Sequence, residues 1–143
     1  AETEAIGYGD SREGRNSPRD WRQNDLWAVI GNGGIVSTAG DLLLWAAARD
    51  RFFPPPDSPE DLGDERRFSN GWYLATRDPT GLQVFHGGAT DKGFIAMLRY
   101  YPEHDTTMVL LSNTFKAKKP HIRSYVDEIE DAFFVRGPAE MSD

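Results

Sequence analysis

Cysteine is absent from the 143 residues, which excludes a disulfide framework and any thiolate metal site and leaves the redox compartment open. Basic residues are scarce: 16 Lys plus Arg stand against 23 Asp plus Glu, a net charge of −7. A surface of that sign repels a phosphate backbone, so no nucleic-acid partner is expected. Long apolar runs are missing as well. The longest, Leu42 to Ala48, falls far short of the ~20 residues a membrane-spanning helix requires, so no membrane span is expected. The N-terminal AETEAIGYGD has neither the basic start nor the apolar stretch of a signal peptide. Histidine occurs only at His86, His104 and His121, too scattered for metal-ligand spacing, so zinc is not expected.

What is present suits one globular body. Apolar residues make up 38% and aromatics 12% of the chain, enough to bury a core at this length. Residues 1–30 read as a loop-rich N-terminal segment, polar and punctuated by Ser17-Pro18. A helix is expected over 38–53. Thr38 and Asp41 resemble a capping box, and LLLWAAARDRFF is apolar around most of its circumference, as in a helix buried on several sides. Pro54-Pro55-Pro56 stops it, and 54–67, rich in proline and acid and without periodicity, reads as a surface loop.

Antiparallel strands are expected from 70 to 113. Asn70 to Arg77 alternates, Asp78-Pro79-Thr80-Gly81 has the residue order of a type I turn, and Leu82 to Asn113 reads as three consecutive strands, the first ending at His86. Phe94, Ala96, Leu98 and Tyr100 fall on one face of the second, with Ile95, Met97, Arg99 and Tyr101 on the other. Strands apolar on both faces belong inside a covered sheet, so helices are expected above and below it. A C-terminal helix over 120–136 supplies one, with Ile122, Tyr125, Val126, Ile129, Ala132 and Phe133 inward and Arg123, Asp127, Glu128, Glu130 and Asp131 outward.

Two segments invite a chemical reading. Gly31-Asn32-Gly33-Gly34-Ile35-Val36 lies between an apolar run and a helix, but a dinucleotide-binding loop needs its third glycine where Val36 stands, and the later strands lack crossover helices. No cofactor is expected. His86 is different, because its imidazole lies beside Gly87 and Gly88, where a ligand can approach the backbone closely.

The order GNGGIVSTAGDLLLW, NGWYL, VFHGG, KGFIAMLRYYPEHDTTMVLLSN and a final amphipathic helix resembles the last portion of serine hydrolases of the β-lactamase and penicillin-binding-protein type. The resemblance covers nearly the whole chain and is most specific between Gly71 and Asn113. It implies an α+β fold, an antiparallel sheet of about four strands flanked by helices, as the C-terminal part of a β-lactamase/transpeptidase-like fold. In that family a Ser of an SxxK motif attacks an acyl carbonyl, a second motif supplies a Tyr or Ser, and a third lies on a strand. His86-Gly87-Gly88 stands where many members carry KTG and where esterase and peptidase relatives carry HxG. By resemblance, His86 orients the proton-shuttling hydroxyl or binds a substrate anion, the Ala89 N–H is one of two oxyanion donors, and Gly87 and Gly88 let substrate lie against the strand. Gly87 replaces a hydroxyl residue of lactam-cleaving members, which leans toward ester or D-amino-acid peptide chemistry.

No Ser in the chain is followed three residues later by Lys, and no Tyr or Ser stands two residues before Asn. The expectation is therefore a C-terminal fragment of a serine acyl-hydrolase, without a nucleophile and inactive alone. Its partner would be a missing N-terminal catalytic segment or a second copy, since an incomplete sheet leaves an edge or face exposed. Its substrate would be a small acyl or peptide compound. The alternative is a non-catalytic module that holds peptide-like ligands beside His86. Relatives are often exported or cell-envelope enzymes, so a periplasmic or extracellular location is implied by resemblance only.

Overall fold

An antiparallel sheet lies between two helices, with five strands where about four were expected. The computed structural model describes residues 5–9, 15–16, 33–48, 66–90, 93–114 and 122–136. The short strands β1 (Gly7–Tyr8) and β2 (Arg15–Asn16) pair with each other, and α1 spans Ala39–Ala47. Then come β3 (Arg67–Ser69), β4 (Trp72–Arg77), β5 (Gly81–Ala89), β6 (Ile95–Tyr101) and β7 (Thr106–Ser112), followed by α2 (Ile122–Glu130), which continues as a π-helical turn over Asp131–Arg136. The five long-sheet strands are hydrogen-bonded in chain order, each antiparallel to the next. Residues 17–32, 49–65 and 120–121, parts of the expected N-terminal segment, helices and loop, lie outside the described residues.

Local chemistry sets the connections. Asn70 and Gly71 join β3 to β4 with φ of 50° and 84°, the two left-handed positions that a tight hairpin with the strands' own twist requires and that Asn-Gly tolerates best. Asp78, Pro79 and Thr80 connect β4 to β5, with the Asp78–Pro79 peptide cis. Thr80 there donates its hydroxyl to the Arg77 carbonyl at 3.3 Å. A 3₁₀ turn over Pro102–His104 joins β6 to β7 and ends on Asp105 with φ 43°. The Asp41 N–H donates to Thr38 Oγ1 at 3.1 Å, so the helix start read from the sequence is a capped one.

Strand register assigns the faces. Val84 and Tyr100, Leu98 and Val109 are directly opposed, so with Trp72 they form one face; Leu42 and Ala46 of α1 pack there against Trp72, Val84, Leu98 and Val109, and Trp45 stacks on Trp72 at 5.6 Å. The opposite face carries Gln83, Phe85, Arg99 and Tyr101, and α2 covers it. The two-sided sheet expected from β6 is thus built. Helix α1, however, is buried on one side only: Ile35 before it and Leu44 within it are 87% and 73% exposed, because only the sheet lies against it among the described residues.

Helix α2 also corrects the sequence reading. Tyr125, Ile129 and Phe133 are exposed, whereas Val126 and Glu130 are buried, Glu130 at 8% exposure. The rotation has an electrostatic cause. Glu130 Oε1 accepts from Arg99 Nη1, from the Tyr101 hydroxyl at 2.7 Å and from Gln83 Nε2 at 3.2 Å, and a buried carboxylate is tolerated only where such partners satisfy it. Beside this cluster the surface pair Arg77–Asp127 at 3.4 Å is solvated and contributes little.

The N-terminal strand reaches the far edge of the sheet. The Tyr8 N–H donates to the Asn113 carbonyl at 2.7 Å, and Asn113 Nδ2 donates to the Ile6 carbonyl at 2.9 Å. Gly93 makes this possible: with φ 102°, a Cβ on it would lie 2.3 Å from Tyr8 N, so only glycine lets the two backbones meet.

Candidate active site

His86 was expected at the end of a strand, but β5 runs on through Ala89. Its rungs with β6 are His86–Leu98, Gly87–Met97, Gly88–Ala96 and Ala89–Ile95. Gly87 and Gly88 take no left-handed φ, so the two glycines extend the strand instead of breaking it. What ends near His86 is the neighbour on the other flank. The last rung between β4 and β5 is Tyr73–Phe85, and β4 itself begins at Trp72, directly after the Asn70-Gly71 turn. From 86 to 89, β5 therefore has a partner on one flank only among the described residues.

The hydrogen-bond phase decides which backbone groups face the open flank. Thr90 N–H donates to the Phe94 carbonyl at 2.8 Å, one rung beyond Ala89–Ile95 and in the same register. In an antiparallel ladder bonded and non-bonded pairs alternate. Gly88 and His86 thus bond to β6, whereas Gly87 and Ala89 turn their N–H and C=O away from it, toward the flank that β4 has left. The Ala89 amide, singled out by resemblance as an oxyanion donor, faces the flank that β4 leaves among the described residues.

The two glycines are not equivalent. A Cβ on Gly87 would meet the Ala96 carbonyl oxygen at 2.9 Å and the Met97 Cε and Sδ at 3.0 Å, whereas a Cβ on Gly88 would meet nothing within 4 Å. Gly87 is required by packing. Gly88 is required neither by packing nor by backbone conformation, and it shares the sheet face of His86 two residues away. Open space lies beside the imidazole on that face.

The flank is bordered by aromatic rings that sequence reasoning missed. Tyr73 stacks on Phe85 at 5.7 Å and on the exposed His86 at 5.8 Å, with interplanar angles of 24° and 29°, and Phe68 lies tilted against Tyr73 at 4.9 Å. The signal was available in principle: an Asn-Gly hairpin at 70–71 places Phe68 opposite Tyr73. Among the described residues, the other histidine does not join this site. His104 lies against Phe134 at 4.6 Å, and His121 is outside the described residues.

A family model described as beta-lactamase matches residues 1–130, and the chain belongs to that family. No curated protein and no solved structure matches it.

Proposed function

We propose that, within the β-lactamase family, this chain contributes the third active-site motif and the oxyanion wall of a serine acyl-hydrolase, while the attacking hydroxyl lies on other protein. The observation that carries the reading is the one-sided pairing of β5 between His86 and Ala89, which leaves the Ala89 N–H facing a flank that is open among the described residues. An acyl carbonyl placed there receives a hydrogen bond that strengthens as its oxygen gains negative charge in the tetrahedral transition state. A peptide-like substrate can lie along the same edge and bond to the Gly87 and Ala89 backbone as an added strand. Gly88 leaves room for it, and His86, two residues before Gly88 on the same face, either orients the proton-shuttling hydroxyl or binds a substrate anion.

The absence of side chain at Gly87 favours ester or D-amino-acid peptide substrates over lactams, since no hydroxyl is available there for a lactam's carboxylate. The site-completing partner is an N-terminal catalytic segment or a second copy of the chain; exposed Ile35 and Leu44, and an outer strand β7 that among the described residues is bridged only beyond its end, by Tyr8 at Thr114, support that need for further cover.

Without SxxK in these residues, no covalent acyl-enzyme forms, and oxyanion donors alone give only residual assistance. Mixing the 143-residue chain with a chromogenic ester and a chromogenic cephalosporin is expected to give no burst and no acyl adduct in the mass spectrum. A stoichiometric adduct would overturn the proposal.

A further inference from the structure

We propose that Phe68 and Tyr73 form a stacking subsite for a planar aromatic group of the ligand whose polar end reaches His86, an inference that rests on the reading of His86 and Ala89 as the polar part of the site. Three observations meet here. First, the rungs Phe68–Tyr73 and Tyr73–Phe85 set three rings in a row across β3, β4 and β5, and the row ends at the last closed rung before the open flank. Second, the outer rings are accessible, Phe68 being 59% and Tyr73 39% exposed. A large aromatic side chain left in water next to a polar opening is the pattern of a contact surface, not of a core. Third, Tyr73 stacks on His86 itself, so a ring lying on the shelf is continuous with the imidazole.

The charge around the row selects the ligand further. The Arg66 guanidinium carbon lies 5.9 Å from the centre of the Phe85 ring, and that of Arg99 lies 4.9 Å from it. The Phe85 end of this row already carries two guanidinium groups, whose positive charge disfavours a quaternary ammonium ligand beside it and favours a neutral or anionic ring. The inferred ligand is thus an aromatic acyl compound or ester lying with its ring on Phe68 and Tyr73 and its carbonyl toward the Ala89 amide. Tyr73 has a second effect, as a positioning residue that holds the plane of the His86 imidazole.

The test uses the full chain and two amides of matched size, benzamide and cyclohexanecarboxamide, titrated while the Phe68, Tyr73 and His86 ring signals are followed by NMR. Benzamide is expected to bind about fivefold more tightly than its saturated counterpart, the size of one aromatic stacking contact, and to shift the Phe68 and Tyr73 signals. Phe68→Leu, on an exposed side chain that the fold does not depend on, should erase that preference. His86→Ala should weaken both amides alike. If Phe68→Leu leaves the preference intact, if neither amide binds, or if tetramethylammonium competes with benzamide, the shelf is overturned. If Phe68→Leu removes the preference while His86→Ala changes nothing, the shelf stands and the assignment of His86 falls. Independently, Tyr73→Ala should abolish the ring-current displacement of the His86 proton signals, and Tyr73→Phe should retain it.

Discussion

Replacing Glu130 by Ala is expected to lower the unfolding free energy by about 3–5 kcal/mol, the usual cost of removing one partner of a buried ion pair. The side chain lies within the α2–sheet interface, and its Oε1 is shared by Arg99 Nη1, the Tyr101 hydroxyl and Gln83 Nε2. Arg99 is only 6% exposed, so once the carboxylate is gone its charge cannot reach water. Its remaining compensation is Gln83 Oε1, which accepts from Nη1 at 3.0 Å, and the Phe85 ring; Arg99 Nε already lacks an acceptor. A domain of this size has a total stability on the order of 5–15 kcal/mol, so the variant should be marginal. Urea midpoints measure the loss, and the double variant Glu130→Leu with Arg99→Met should recover much of it, because an apolar pair of similar volume leaves no stranded charge. Equal losses in the single and double variants would show that the ion pair is not what pins α2.

The same cluster makes the stability fall in alkali. Burial of Tyr101, and then its hydrogen bond to Glu130, push its hydroxyl pKa well above the ordinary tyrosine value of 10.0. The unfolded chain releases that proton near pH 10 while the folded chain still holds it. The native state then binds more protons than the unfolded one, and stability falls as pH rises. The contribution of Tyr101 is intact below about pH 10 and is lost above it, with a slope of up to about 1.4 kcal/mol per pH unit. Denaturant melts between pH 8 and 11 should show the decline, and Tyr101→Phe should flatten it.

How much of this was legible in the residues depends on the range over which each feature is fixed. The strands were legible because alternation is local: the two faces read for Phe94 to Tyr101 are those that the rungs of β6 with β5 and β7 produce. The Thr38 cap was legible for the same reason, its partner being three residues away. The orientation of α2 was not, because apolar periodicity turned Tyr125, Ile129 and Phe133 inward, whereas the helix is held by a carboxylate whose partners lie 29 to 47 residues away. Charge pairing at that separation leaves no trace in a window of eighteen residues. The candidate site was legible as residues but not as geometry. Gly87-Gly88 read as a strand end, yet the break is in the neighbouring strand, which begins at Trp72, just after the Asn70-Gly71 turn.

Gly88→Val is expected to leave the fold intact while reducing ligand affinity at the open flank by about fivefold or more, and Gly87→Val to destabilise the fold itself. The contrast follows from what each Cβ would touch. At 87 it meets the Ala96 carbonyl oxygen at 2.9 Å and the Met97 thioether at 3.0 Å; the carbonyl belongs to a ladder strand and cannot yield, so the substitution costs about 1–3 kcal/mol as an overpacked site does. At 88 it enters empty space on the His86 face, and a β-branched residue suits an extended strand better than glycine, so the melting midpoint should hold or rise. That space is what a ligand lying on the Ala89 edge needs, and filling it costs binding about 1–3 kcal/mol, as overpacking costs a core, roughly fivefold to 150-fold. An N-acylated D-amino-acid amide, titrated while the Ala89 amide signal is followed by NMR, reports the affinity, and urea midpoints report the stability. Unchanged binding by Gly88→Val would place the ligand away from β5, and with it the acyl carbonyl away from the Ala89 donor.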